Sequence, residues 1–516
     1  MKYAVVAVFV SVMIAVGVYS RRRTATVNDF FLGGRDVGPW LSAFAYGTTY
    51  FSAVLFVGYA GKIGFGFGLS SLWIAAGNAL VGSLLAWLIL AKPLRSMTAR
   101  LDAMTVPAFV SRRFGSDRLK IAAALIIFIF LVPYSASVYA GLAYLFEEVF
   151  NLDFTVALWG MAALTAMYLV LGGYIAVARN DLIQGVVMIV GVIFMAGYIV
   201  NAPEVGGLSG GIDRLREMAP AAAAAWPAWD LSPFSWTAFL RSPGVVLASF
   251  VILTSLGPWG LPQMVHKFYA IRDLSVVRPA IVISTAFALL MAGGAYLTGA
   301  LSRLFPGIPE LAADKQFDAI MPTVLTQALP EVLAALILLL VLSASMSTLA
   351  GLVMISGSAI TVDLVQDELK KDLGKRAAVS LLRVLIVVFI VLSVVLAQQK
   401  WQLIVNLMAL SWGVVAGAFL GPIVWGALWR RTTLTSVWAT MIFSLVFMGG
   451  LGWRYTSDPE TAGYIPVLAA ITIVASLLIT PLVSLVSPAP SGALVAEAFG
   501  DQGPPSGRAA PESGTA

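Results

Sequence analysis

An apolar run of about twenty residues is long enough to cross the ~30 Å hydrocarbon core of a bilayer as a helix, and this 516-residue chain strings such runs together almost from end to end. Thirteen are legible, at approximately 3–20, 39–61, 68–91, 121–148, 155–178, 180–201, 236–264, 279–301, 332–360, 377–398, 402–428, 434–452 and 464–487. Hydrocarbon offers the backbone no hydrogen-bonding partner, so each run must satisfy itself as a helix, and the fold class is an all-α membrane protein. With 59% hydrophobic and 11% charged residues, most of the chain belongs in lipid rather than around one aqueous core.

Topology accounts for the net charge of +6 better than nucleic-acid binding does. Arg21, Arg22 and Arg23 follow the first run, which predicts a retained helix with the N-terminus outside; thirteen spans then bring the C-terminus inside. On that reading 23 of the 32 Lys and Arg residues, Lys267 among them, fall inside and nine outside, in the plasma (cytoplasmic) membrane of the cell. Lys370, Lys371, Lys375 and Arg376 read as one such inside loop, in reach of anionic lipid. Residues 202–235, with Trp226 and Trp229, read as an irregular outer cap, and 488–516, rich in Pro, Gly, Ala and Ser, as a disordered tail after a transmembrane domain over 1–487.

Several kinds of chemistry are excluded. The chain has no cysteine and one histidine, His266, which leaves no thiolate or histidine metal site. Glu147 and Glu148 are neighbours at a span end and do not face one another, so no carboxylate pair for hydrolysis is visible. No GxxxxGK[ST] loop is present, and GFGFG at 64–68 reads as a turn. The chain is expected to be neither an enzyme nor an ATP-driven pump, and to need no organic cofactor.

Two spans are interrupted. The second reads AFAYGTTYFSAVLFVGYAG, with Gly47 and Gly58 flanking a hydroxyl-rich stretch; the seventh contains LGPWGLPQ, with Gly257, Pro258, Gly260 and Pro262. Each interruption alone could be an ordinary kink. Counted in blocks of five spans, they open two repeats, approximately 39–201 and 236–428, and breaks at corresponding places mark inverted-repeat transporters.

Ser347 and Thr348 sit deep in the ninth span, in VLSASMSTLAGLVMISGSAITVDL. Such hydroxyls either bond within their own helix or between helices, or replace the hydration shell of an ion. A hard monovalent cation needs oxygens from several segments. Ala344 offers a carbonyl one turn earlier, and the broken second span could add carbonyls of Thr48 and Phe51. Neutral oxygens bind weakly and release their ion readily.

Five segments, DFFLGGR at 29–35, GGYIAVARNDLIQG at 172–185, ASMSTLAG at 344–351, SAITVDL at 358–364 and GPIVWGALWRR at 421–431, make the chain resemble the sodium:solute symporter family up to about residue 487. The resemblance implies a leucine-transporter type of fold, with one five-helix repeat inverted on another, and alternating access around a midplane site. It implies a sodium site made by the carbonyls of Thr48, Phe51 and Ala344 and the hydroxyls of Ser347 and Thr348. Some members have a further sodium site using an aspartate, here Asp181, but its hydroxyl positions are Ala350 and Gly351, so one sodium per cycle is expected. Asp181 itself reads either as an interfacial carboxylate or as a group for ion release and coupling.

Candidate solute contacts are Tyr46, Tyr50, Ser52, Tyr134, Trp259 and Gln263. Ser52 and Tyr134 match the solute pathway of the family's proline symporters, whereas Tyr50 replaces an expected acid, Val54 an expected tryptophan, and Thr254 and Pro258 expected aromatics. A carboxylate-bearing solute such as an amino acid or monocarboxylate is expected, because a broken-helix N-terminus favours anions. The expected function is sodium-coupled symport of a small organic solute by alternating access. Its rivals are a proton-coupled transporter, with Asp181 titrating, and a transporter-like membrane sensor.

Overall fold

The computed structural model describes residues 2–20, 37–171, 174–224, 240, 242–368, 375–456 and 462–501. Arg21 to Arg23, the segment 29–35, Gly172, Trp226, Trp229, Lys370, Lys371 and residues 502–516 lie outside them. The described residues are helical almost throughout, and one isolated bridge pairs Val37 with Ile271.

Helix α1 (Lys2–Ser20) precedes a broken pair, α2 (Pro39–Tyr50) and α3 (Val54–Gly64). Pro39 opens α2, where its missing N–H costs nothing. The helical run Val54–Arg100 holds 47 residues, about 70 Å at 1.5 Å per residue and more than twice the bilayer core. It must fold back, and does so at Gly68, whose φ of +59° suits only glycine; a Cβ there would strike the Ala222 carbonyl at 2.1 Å. The expected turn at 64–68 thus narrows to one residue, after which α4 runs over 72–100.

Next come α5 (Val106–Phe114), α6 (Asp117–Phe150), α7 (Phe154–Leu171) and α8 (Tyr174–Val200). The outer cap is more regular than expected, with helix α9 at Gly207–Met218. A second broken pair follows: α10 (Pro243–Leu256) and α11 (Pro262–Ala270), bent by 40° across Gly257–Leu261. Then come α12 (Val277–Leu301), α13 (Ile308–Ala313), α14 (Phe317–Ala328), α15 (Glu331–Ser358), α16 (Lys375–Gln398), α17 (Ile404–Leu428), α18 (Leu434–Ser444) and α19 (Ile465–Val486). Each expected span falls on one of these helices or broken pairs. Among the described residues, nine are long and apolar enough to cross a membrane, or ten with the bent pair counted as one.

Helices α15 and α17 form the centre of the bundle. The apolar stretch of α17 is wholly buried and that of α15 78% buried, whereas α12 and α18 turn most of their apolar surface outward, as lipid-facing helices do. Small residues let the backbones close up: Gly64 and Gly299 bring α3 against α12, and Gly421 brings α17 against α19.

The expected disorder from residue 488 does not hold for its first part. Ser491 caps a further helix, α20 (Gly492–Phe499), whose Phe499 ring lies under the guanidiniums of Arg113 and Arg430 at 5.2 and 5.1 Å. Asp501 pairs with Arg430, and Arg100 donates to the Ala498 carbonyl at 3.0 Å. Proline and small residues suggested disorder, but basic groups from three segments supply a docking surface that composition does not reveal.

Candidate cation and solute site

The first broken helix leaves α geometry at Phe51, with φ −113° and ψ 135°. In a continued helix the Ala53 N–H would face the Thr49 carbonyl; here it donates to Ser345 Oγ at 3.0 Å. The freed carbonyls turn toward α15. Thr348 Oγ1 lies 3.1 Å from the Thr49 oxygen, 3.2 Å from Phe51 and 3.1 Å from Ala344. A hydroxyl has one proton, so it can satisfy one of these three acceptors well. Four buried oxygens therefore converge with a single proton among them, an arrangement that a small cation stabilises. Gly351 permits the approach, since a Cβ there would press on Thr49 at 3.2 Å.

Phe51, Ala344 and Thr348 are thus brought together as the sequence suggested. Thr49 supplies the third carbonyl beside Thr348, and Thr48 takes part through its side chain. Its hydroxyl lies 2.8 Å from Ser347 Oγ and donates to the Phe44 carbonyl at 2.7 Å. Ser347 Oγ is also 2.6 Å from Asp181 Oδ1 on α8. Three contacts are served by two hydroxyl protons, so a carboxylate at Asp181 leaves one contact without a proton.

Asp181 is fully buried, not interfacial, and its second oxygen lies 3.6 Å from the ammonium of Lys267. The assignment of Lys267 to an inside loop is corrected here: helix resumes after the break at Gly257–Leu261, and α11 carries Lys267 back into the protein with 3% of its side chain exposed. Around these groups the side-chain amide of Gln184, Thr49 Oγ1 and Gln263 Oε1 are buried without a hydrogen-bonding partner among the described residues.

Beside the break lies a cavity of about 30 Å³, bordered by Tyr50, Ser52, Asn78, Tyr134, Thr254 and Trp412 among others. Tyr50 donates to the Thr254 carbonyl, the Thr254 hydroxyl to Asn78 Oδ1 at 2.8 Å, and the rings of Tyr134 and Trp412 meet edge to face at 5.5 Å. Three solute candidates stand elsewhere. Tyr46 donates to the Gly82 carbonyl and packs on Trp87 and Phe268; Trp259 donates to the Val81 carbonyl; Gln263 lies beside Lys267 and Gly351. Sequence reasoning missed Asn78 and Trp412. Asn78 carried a signal, being the one amide in the apolar run 68–91.

The family model of the sodium:solute symporter family matches residues 30–452. The osmoregulated proline transporter of Bacillus subtilis is 27% identical over 484 residues, 93% of this chain and 94% of that protein. The sodium/proline symporter of Salmonella typhimurium is 29% identical over 452 residues, 85% of each chain. In three dimensions, a substrate-bound, outward-open structure of a sodium-coupled sialic acid symporter superposes with a TM-score of 0.75 over 95% of this chain and 98% of that one, at 16% identity, a likeness of fold.

Proposed function

Since the chain belongs to the sodium:solute symporter family, and is therefore a multi-pass membrane transporter that couples solute uptake to sodium and not an enzyme, we propose that its ion site is centred on Thr348 and takes one sodium per cycle. The fold is of the leucine-transporter type. One observation carries the assignment: a single hydroxyl proton stands among three carbonyls at 3.1–3.2 Å, from the last turn of α2, from the break itself and from α15. Sodium bound there joins α2, the break that follows it and α15, which orders the wall of the cavity next to Phe51. Ser347 and the carbonyl or hydroxyl of Thr48 complete the shell. Ala350 and Gly351 offer no side-chain oxygen for a second ion.

The solute is a small carboxylate-bearing compound, an amino acid or a monocarboxylate, held between the break and α4, α6, α10 and α17. Two relatives carry proline in their names, which makes proline the first compound to try. Tyr50, Ser52, Tyr134, Asn78 and Thr254 supply the polar contacts. The transporting unit spans 1–487 with repeats near 39–201 and 236–428, its N-terminus outside and its C-terminus inside the cytoplasmic membrane. The gathering of Arg100, Arg113 and Arg430 around α20 supports that orientation.

Coupling to protons would place the proton on Asp181, against the neighbouring Lys267 ammonium. Uptake into proteoliposomes decides: an imposed sodium gradient drives accumulation of the solute, and Ser347→Ala/Thr348→Ala abolishes the sodium dependence. Uptake driven by a proton gradient without sodium, and lost in Asp181→Asn, would replace this reading with the proton-coupled one.

A further inference from the structure

Lys267 is neither a ligand of the proposed sodium nor a wall of the solute cavity, yet it is held inside the bundle with 3% of its side chain exposed. A buried ammonium is retained against a large desolvation penalty and points to a role for its charge. Its partner is Asp181, with Nζ 3.6 Å from Oδ2. The other carboxylate oxygen takes the shorter of the two contacts made by Ser347, 2.6 Å against 2.8 Å to Thr48. An ionised carboxylate outcompetes a neutral hydroxyl for the one proton of Ser347. The Thr48 proton is committed to the Phe44 carbonyl. The oxygens of Ser347 and Thr48 then face one another with lone pairs and no proton between them, as a cation requires.

We infer that Lys267 is a positioning residue for sodium: its ammonium, 3.6 Å from Oδ2, fixes the Asp181 side chain so that Oδ1 accepts from Ser347 at 2.6 Å and this hydroxyl presents its lone pair to the ion. The inference rests on the sodium site proposed above. It also assigns a second task to the broken helix α10/α11. Lys267 lies on α11, Asp181 on α8 and Ser347 on α15, so the pair carries the state of the ion site into the second broken helix.

Binding of radioactive sodium to the purified full chain tests this without knowledge of the solute. Lys267→Met should raise the half-saturating sodium concentration about tenfold or more, the usual effect of removing a group that orients a metal ligand. Lys267→Arg, which keeps the charge, should stay within about threefold of the parent. Asp181→Asn/Lys267→Met buries no charge; it should fold and bind no better than Asp181→Asn, since both residues act through one proton. Parent-like sodium binding in Lys267→Met or in the double variant overturns the inference, as does an arginine variant as weak as the methionine one. Thr348→Ala separates the two levels. If it weakens sodium binding while Lys267→Met does not, only this inference falls; if it binds like the parent, the sodium site itself falls.

Discussion

The hydroxyl of Thr348 lies 3.2 Å from the carbonyl of Phe51, a residue 297 positions earlier in the chain, at the point where the first broken helix leaves α geometry. That contact fastens the break to the central helix, and the ion proposed to sit there acts on both at once. Because the carbonyls belong to the backbone, the side chain of Thr348 is the part of the arrangement that mutation can remove.

Thr348→Ala is expected to raise the sodium needed for half-maximal uptake by about tenfold or more, while Thr348→Ser, which keeps the oxygen, stays within a few-fold of the parent. Sodium titrations of solute uptake in proteoliposomes check both.

Asn78 accepts from Thr254 at the cavity wall and is not among the oxygens gathered around Thr348. Asn78→Ala should raise the solute concentration for half-maximal uptake and leave sodium binding to the solute-free protein unchanged. A shift in sodium binding of the same size would place Asn78 in the ion site instead.

Close packing of α3 on α12 depends on Gly299, where a Cβ would meet the Ala60 carbonyl at 2.2 Å. Backbone cannot yield as a side chain does, so Gly299→Ala should destabilise the protein by about 1–3 kcal/mol, seen as a lower unfolding temperature in detergent.

Asp318, on α14 outside the candidate spans, is buried and accepts from the Ile404 N–H at 3.1 Å. Burial pushes its pKa up to about 6 from an ordinary 3.8. The folded protein therefore holds the proton more tightly than the unfolded chain, so this group's contribution to stability falls as pH rises from about 4 to 6. Asp318→Asn can still accept from Ile404 and should flatten that decline, with a gain at pH 7 of up to roughly 3 kcal/mol. Thermal unfolding of both proteins across this pH range measures it; an unchanged profile would show that Asp318 does not set it.

The ring of Phe499 meets the guanidiniums of both Arg113 and Arg430 on the face where α20 docks. Burial also lowers the pKa of Arg113 to about 10, still charged at pH 7. Phe499→Ala should remove about 1–2 kcal/mol and expose the C-terminal segment to protease. Limited proteolysis from the C-terminus compares the two forms.

Much of the molecule was legible before folding was considered. Run length and hydropathy are local properties, so the helices fall where the apolar runs predict, and the Gly and Pro residues of LGPWGLPQ mark a real break. The pair Ser347 and Thr348 stood out because hydroxyls are conspicuous in an apolar helix, and Phe51 and Ala344 followed from helix geometry and family likeness. Charge placement was less secure. Lys267 reads in sequence as the basic end of a span, and only the bend before α11 turns it inward to Asp181.

By itself the sequence determined a chain of membrane helices with two interruptions and the identity of the polar groups carried within them. The tertiary structure alone decided that Thr49 brings its carbonyl to Thr348, that Ser347 shares its proton with Asp181, and that Asn78 meets Thr254. The reason is physical: hydropathy and propensity act over a few helical turns, whereas an ion or solute site needs oxygens from segments hundreds of residues apart, and their convergence is set by how closely small residues let those helices pack.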